Sequence, residues 1–172
     1  MNLQRITTQF IEGEDRIRLT GQLDDGQTVV LWLTQRLLQR LVPHLCQWLE
    51  KQTPTKPQES PLRAQVQQSF AQQKARAEIE RQAPVQADAV SLAWLVSAVD
   101  LKPTPQGPCL VFRGRQENER AVLGLPSRSL RQWLGILHDQ FRAAAWPAEV
   151  WPEWMEPATP PARDAGPLTV LH

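Results

Sequence analysis

Net charge is nearly absent from this chain. Nineteen basic residues against eighteen acidic ones leave a formal +1 over 172 residues. Bulk charge therefore makes no case for binding nucleic acid or a membrane surface. No stretch approaches the ~20 apolar residues that a membrane span needs, and MNLQRITTQFIEGED lacks the basic flank and apolar run of a signal peptide. Both absences point to a cytoplasmic protein with no membrane partner. Cysteine is scarce as well. Cys46 and Cys109 stand alone, which in such a chain reads as two small buried side chains rather than a disulfide.

Recognisable catalytic chemistry is missing too. Gly124 and Gly135 are isolated and Gly107-Pro108 is a turn, so no glycine-rich phosphate loop exists. His44 and Cys46 are two residues apart on one predicted helix and point about 160° apart, so they cannot chelate one ion. His138 joins them only if the fold brings two distant helices together. A cysteine nucleophile needs a facing base, and no spacing supplies one. The carboxylates Glu12, Glu14 and Asp15, and the pair Asp24-Asp25, sit where turns are expected and cap exposed amides there. No catalytic residue, metal ligand or cofactor site is assigned.

What is present is a repeat. The segment from Arg16 to Leu49 returns ninety-two positions later, from Pro108 to Phe141. Without a gap, Val30, Leu31 and Leu33 match Val122, Leu123 and Leu125, while Arg36, Leu38 and Leu45 match Arg128, Leu130 and Leu137. Each copy reads as a β-hairpin running into an amphipathic helix. Leu3 to Ile11 is a strand, Arg16 to Leu19 alternates like a half-exposed one, and Asp24-Asp25-Gly26-Gln27 is the turn into the returning strand Thr28 to Leu33. Thr34 caps the first helix, whose apolar side chains Leu37, Leu38, Leu41, Val42, Leu45, Trp48 and Leu49 share about 140° of arc. Pro43 in its middle predicts a kink or a break into two helices, and the matching Gly135 is another helix-weakening residue. Ser127 is the expected cap of the last helix, whose stripe is Leu130, Trp133, Leu134, Leu137, Phe141 and Ala144.

Between the copies, Lys51 to Pro61 reads as an extended linker with three prolines. Ser60-Pro61 then opens a polar helix to about Gln82. Its stripe of Leu62, Val66 and Phe70 is thin, so it should lie on the surface, be marginal alone, or dock on a partner. Val90 to Leu101, the longest apolar run, is assigned as the strand equivalent to Leu3 to Ile11, with a buried helix as the competing assignment. Lys102 to Pro108 is a turn-rich connection.

After Ala145 the chain holds three tryptophans and many prolines. Trp146, Trp151 and Trp154 in an acidic, irregular segment read either as an arm docked on its own domain or as a partner-binding arm. Residues 157–172 are expected to form a mobile tail. Arg36 and Arg128 head the two helices, where the positive helix end disfavours them. Paired guanidinium groups binding an acidic partner is the functional reading, and bridging to neighbours or lying in water the structural one.

The order of strands, helical insertion, strands and terminal helix resembles the β-sandwich head domains of the scaffold proteins of non-homologous DNA end joining. The likeness covers Leu3 to Ala145. It implies a sandwich with a helical pair between two halves, and it carries over no functional residue, because the final helix stops at Trp146-Pro147 where those heads continue into a stalk.

The reading is therefore an α+β fold: an antiparallel sheet or small sandwich from two pseudo-symmetric β-β-β-α halves, 3–52 and 90–145, with linker and inserted polar helix over 53–89 and the arm over 146–156. Residues 1–156 are taken as one domain. The expected role is a non-catalytic interaction or scaffold module of bacterial type, engaging a protein partner or a second copy through Phe70, Trp146, Trp151, Trp154, Arg36 and Arg128. Two rivals stay open. One is a small enzyme with a site between the halves, joining His44, His138 and a carboxylate. The other is a nucleic-acid binder whose Arg16, Arg18, Arg113, Arg115 and Arg120 gather on one hairpin face.

Overall fold

The computed structural model describes residues 1–52 and 60–156. The expected tail and most of the expected proline linker lie outside them. Seven strands and three helices form an α+β fold: β1 (Leu3–Ile11), β2 (Arg16–Leu23), β3 (Thr28–Thr34), α1 (Gln35–Gln52), α2 (Pro61–Ala77), β4 (Leu92–Leu95), β5 (Ala98–Thr104), β6 (Gly107–Arg113), β7 (Arg120–Gly124) and α3 (Ser127–Ala143). Local chemistry explains most boundaries. The β2–β3 turn closes with Gly26 at φ 85° and the Asp25 carboxylate accepting from the Gln27 amide at 2.9 Å. Thr34 Oγ1 accepts from the Leu37 amide at 3.2 Å and starts α1. Ser60 caps α2, with Pro61 at its first position. Ser127, expected as a cap, is instead the first residue of α3, and Pro126 before it offers no side-chain acceptor.

The strands form two sheets, β1-β2-β3-β4 and β5-β6-β7. All neighbours are antiparallel except β3 and β4, which are parallel, so the larger sheet is mixed rather than antiparallel. The reason lies in the apolar run assigned as one strand. It is two: β4 pairs with β3, Trp94 beside Leu31, and β5 pairs with β6. At the corner the Val96 amide donates to the Trp32 carbonyl at 2.9 Å and the Ser97 amide to the Arg113 carbonyl at 2.8 Å. One run thus serves both sheets, although within β4 only Trp94 is buried. At the other edges, Asn2 bridges to Val122. The two sheets are joined along both sides, and strands and helices contribute to one continuous apolar cluster.

The repeat survives in the fold with altered turns. β7 and α3 lie ninety-two positions after β3 and α1, but Leu19 pairs with Leu31 while Leu110 pairs with Leu123, so β6 follows β2 by ninety-one. The second hairpin loop is longer by one residue. The connection before β6 is shorter by two, running from Thr104 to Gly107 where the first copy runs from Ile11 to Arg16. Lys102 to Thr104, expected in a loop, belongs to β5, and Pro103 is tolerated because β5 is an edge strand. Gly107 has φ 153°, and a Cβ there would strike the Leu125 carbonyl.

Of the kink or break expected at Pro43, the break does not occur. α1 runs unbroken through Pro43. Pro43 faces solvent and Gln39 is only half-buried, so water can reach the carbonyl that loses its amide partner. Gly135 is buried, with a hypothetical Cβ 3.3 Å from Gln72 Nε2. Its missing side chain is what lets α2 approach α3.

Candidate interaction surface

α2 is barely amphipathic, and the side it buries is not the one that carries its large apolar residues. Its alanine and glutamine side points inward, with Gln68, Gln72 and Ala75 buried. Its large apolar side chains point out: Leu62 is 69% exposed, Val66 45% and Phe70 68%. A helix docked by its polar face must satisfy that face, and several hydrogen bonds do so, although Gln72 Oε1 and Arg131 Nη1 find no partner among the described residues. Gln72 Nε2 donates to the Arg131 carbonyl at 2.8 Å, and Gln68 Oε1 accepts from Arg131 Nη2 at 2.5 Å. Gln132 Nε2 donates to the Ala75 carbonyl at 3.1 Å. At the rim Arg76 Nη2 bridges both oxygens of Asp139, at 2.6 and 2.9 Å.

Arg131 is the centre of this seam. It is buried, has no carboxylate among its contacts in the described residues, and sits with its guanidinium carbon 5.6 Å from the Trp154 ring centroid. Burial pushes its pKa below the usual arginine value, an effect partly offset by Cys46. A cation in this setting is stabilised by a ring face and an amide oxygen rather than a counter-charge. Sequence inspection missed Arg131, Gln68, Gln72 and Asp139. The available signal was the grouping of Gln68 and Gln72 with Ala64, Ala71 and Ala75 on the side of α2 opposite Phe70.

The tryptophan arm is held by the chain itself. Ala145 at φ 52° turns the backbone after α3, and Trp146, Trp151, Trp154 and Met155 are all buried in the common core. Trp146 packs edge-on against Phe10 and Phe141 with centroids 5.5 and 5.2 Å away, and its indole N–H donates to Asp15 at 3.0 Å. Trp151 packs on Phe141 and His138, and Trp154 donates to Glu50 at 2.8 Å. Glu153 accepts from Gln65 of α2. Of the two readings of the arm, the described conformation is the self-docked one, and the indole faces offered as a binding surface are turned inward. They brace α2 from one end.

The two equivalent arginines have different surroundings. Arg128 pairs with Glu78 at 3.1 Å just past the end of α2, whereas Arg36 lies exposed on α1. They do not form one cluster. The five arginines of the hairpin reading divide between the sheets. Arg16 faces Glu14 at 3.8 Å and Arg18 bonds Gln9 on the first, while Arg113 pairs with Asp100 at 2.6 Å on the second.

The histidines are likewise apart. His44 is exposed on α1, and His138 is 1% exposed behind the arm with Nε2 3.3 Å from Glu156. Burial, reinforced by Glu50, pushes the Cys46 thiol up to about 12, so the thiolate that nucleophilic chemistry needs is negligible near neutrality. A cleft of about 550 Å³ does lie between the halves, bounded by β1, the chain after α2 and α3. Among the described residues its charged lining groups are Arg5 and Glu80, and the Arg5 guanidinium is already bonded to the Ala83 carbonyl at 2.8 Å. Among the described residues no group of three or more His, Cys, Asp and Glu side chains is placed to hold a metal ion, and no helix is long and apolar enough to cross a membrane.

This surface belongs to an α+β protein with two joined sheets and an inserted helix docked inside out. Comparison with known families, with curated proteins and with solved structures finds no match.

Proposed function

We propose that the chain is a non-catalytic interaction or scaffold module of the cytoplasm that engages a protein partner through the outward face of α2. One observation carries the reading: α2 keeps Leu62, Val66 and Phe70 exposed while burying Gln68 and Gln72. Turning the helix by half a revolution would bury the apolar side and hydrate the amides, which hydrophobic transfer alone favours. Seam and arm instead hold it in the orientation that presents the apolar face. Exposed apolar groups supported from behind are the usual form of a partner-binding helix.

The body that carries α2 supports the likeness to end-joining scaffold heads, since two helices, α1 and α2, are inserted between β3 and β4. A photo-crosslinking residue placed at Phe70 in the native cell should give a discrete protein adduct, while one at the exposed Arg40 of α1 should not. The same adducts from both positions, or none from Phe70, would remove the proposal.

A further inference from the structure

We infer that the partner of α2 is an acidic amphipathic helix, a deepening that rests on the interaction reading above. Three arguments lead there. The first is shape. Leu62, Val66 and Phe70 are spaced four apart and fall on one line of a helix about 25 Å long. Such a row is a ridge, with no free backbone edge to accept a strand, and ridges pack against other helices. The second is charge. α2 contains Arg63, Lys74 and Arg76 and no carboxylate. Arg76 is engaged by Asp139, but Arg63 and Lys74 are exposed and make no ion pair among the described residues. At about 100° per residue both fall on the Phe70 side of the row, so cations line one margin of the apolar stripe. A partner with carboxylates flanking its own apolar row is complementary to that margin.

Third, other occupants fit this face less well. Two copies of α2 packed antiparallel would set Arg63 of one chain against Lys74 of the other with no acid in either helix, so a second copy is a poor occupant. An anionic lipid surface would meet the cations, but a row of three large apolar side chains is narrow beside the wide apolar face and dense basic flanks of interfacial helices.

The test uses the full chain and three fluorescein-labelled helical peptides that share one leucine row and differ in flanks of Glu, Lys or Gln. Anisotropy titrations should give about tenfold tighter binding for the Glu peptide than for the Lys peptide in low salt, narrowing at 0.5 M NaCl. Arg63→Glu combined with Lys74→Glu should invert the preference, and Phe70→Ala should weaken all three. Equal affinity for the Glu and Lys peptides, both lost in Phe70→Ala, would overturn the acidic partner and leave the docking face standing. Affinities indifferent to Phe70→Ala would overturn both. No peptide binding overturns the acidic helix. In that case dimerisation in sedimentation would assign the face to a second copy, and binding to phosphatidylserine vesicles would assign it to lipid.

Discussion

α1 and α3 are copies of one helix, yet one has a wet outer side and the other is largely covered. Their inner rows correspond, Leu38 with Leu130, Val42 with Leu134, Leu45 with Leu137 and Leu49 with Phe141, every one buried. The outer positions diverge. Half-buried Gln39 answers to buried Arg131, and exposed Pro43 to buried Gly135. The difference is caused by what lies outside the repeat, because α2 packs on α3, and the tryptophan arm packs on Phe141 and His138 of α3 while reaching α1 through the Trp154–Glu50 hydrogen bond. Duplicated residues build the body, and unduplicated ones turn a symmetric body into a platform for α2.

The comparison is tested most severely where the copies agree. Leu45→Ala and Leu137→Ala each remove a fully buried side chain from the shared core and should each cost about 2–5 kcal/mol in urea unfolding. Similar losses sharpen the picture of one core with two equivalent helices. A loss several-fold larger at Leu137 would mean that the halves do not share it.

The copies should respond with opposite signs at the next pair. Gly135→Leu pushes a side chain into Gln72, which should cost about 2–3 kcal/mol and speed amide exchange in α2. Pro43→Ala restores a backbone hydrogen bond on an exposed face and should stabilise by about 1 kcal/mol or more. Destabilisation at both would show that Pro43 is there for packing.

This pair also marks what could be read from the chain. The hairpin-to-helix repeat was legible because apolar spacing alone specifies it. The shifts of one and two residues between β2 and β6 and between their preceding turns were not, since register is decided by turn geometry rather than by alternation. β4 stayed hidden because its exposed Leu92, Ala93 and Leu95 are as apolar as its buried Trp94, so the run carries no period. Phe70 was legible as an exposed aromatic. The seam behind it was not, because Gln68, Gln72 and Arg131 look like surface residues until a second helix covers them.

Cys46 and His138 occupy equivalent buried sites with different chemistry. A thiol held at about 12 rather than its ordinary 9.0 favours the folded state below pH 9, and that contribution fades as pH rises from 9 towards 12. The full shift corresponds to about 4 kcal/mol. Melting temperature should therefore fall with pH above 9 in the native chain, and the fall should be shallower in Cys46→Ala. Identical alkaline slopes would place the titration elsewhere.

The smallest effect is expected at the residue with the most proposed consequence. Trp154 and Phe70 are both large aromatics near α2, one 5% exposed and the other 68%. Trp154→Ala should cost about 3–5 kcal/mol, because it empties part of the core and removes the ring beside Arg131. Phe70→Ser should change stability by no more than about 0.5 kcal/mol. If Phe70→Ser is neutral in urea unfolding, the aromatic does nothing for this fold, and its place on the surface needs an explanation outside the isolated chain. If the substitution costs as much as Trp154→Ala, Phe70 is packed in solution and α2 is not reversed there. The interaction reading would then lose the observation on which it stands.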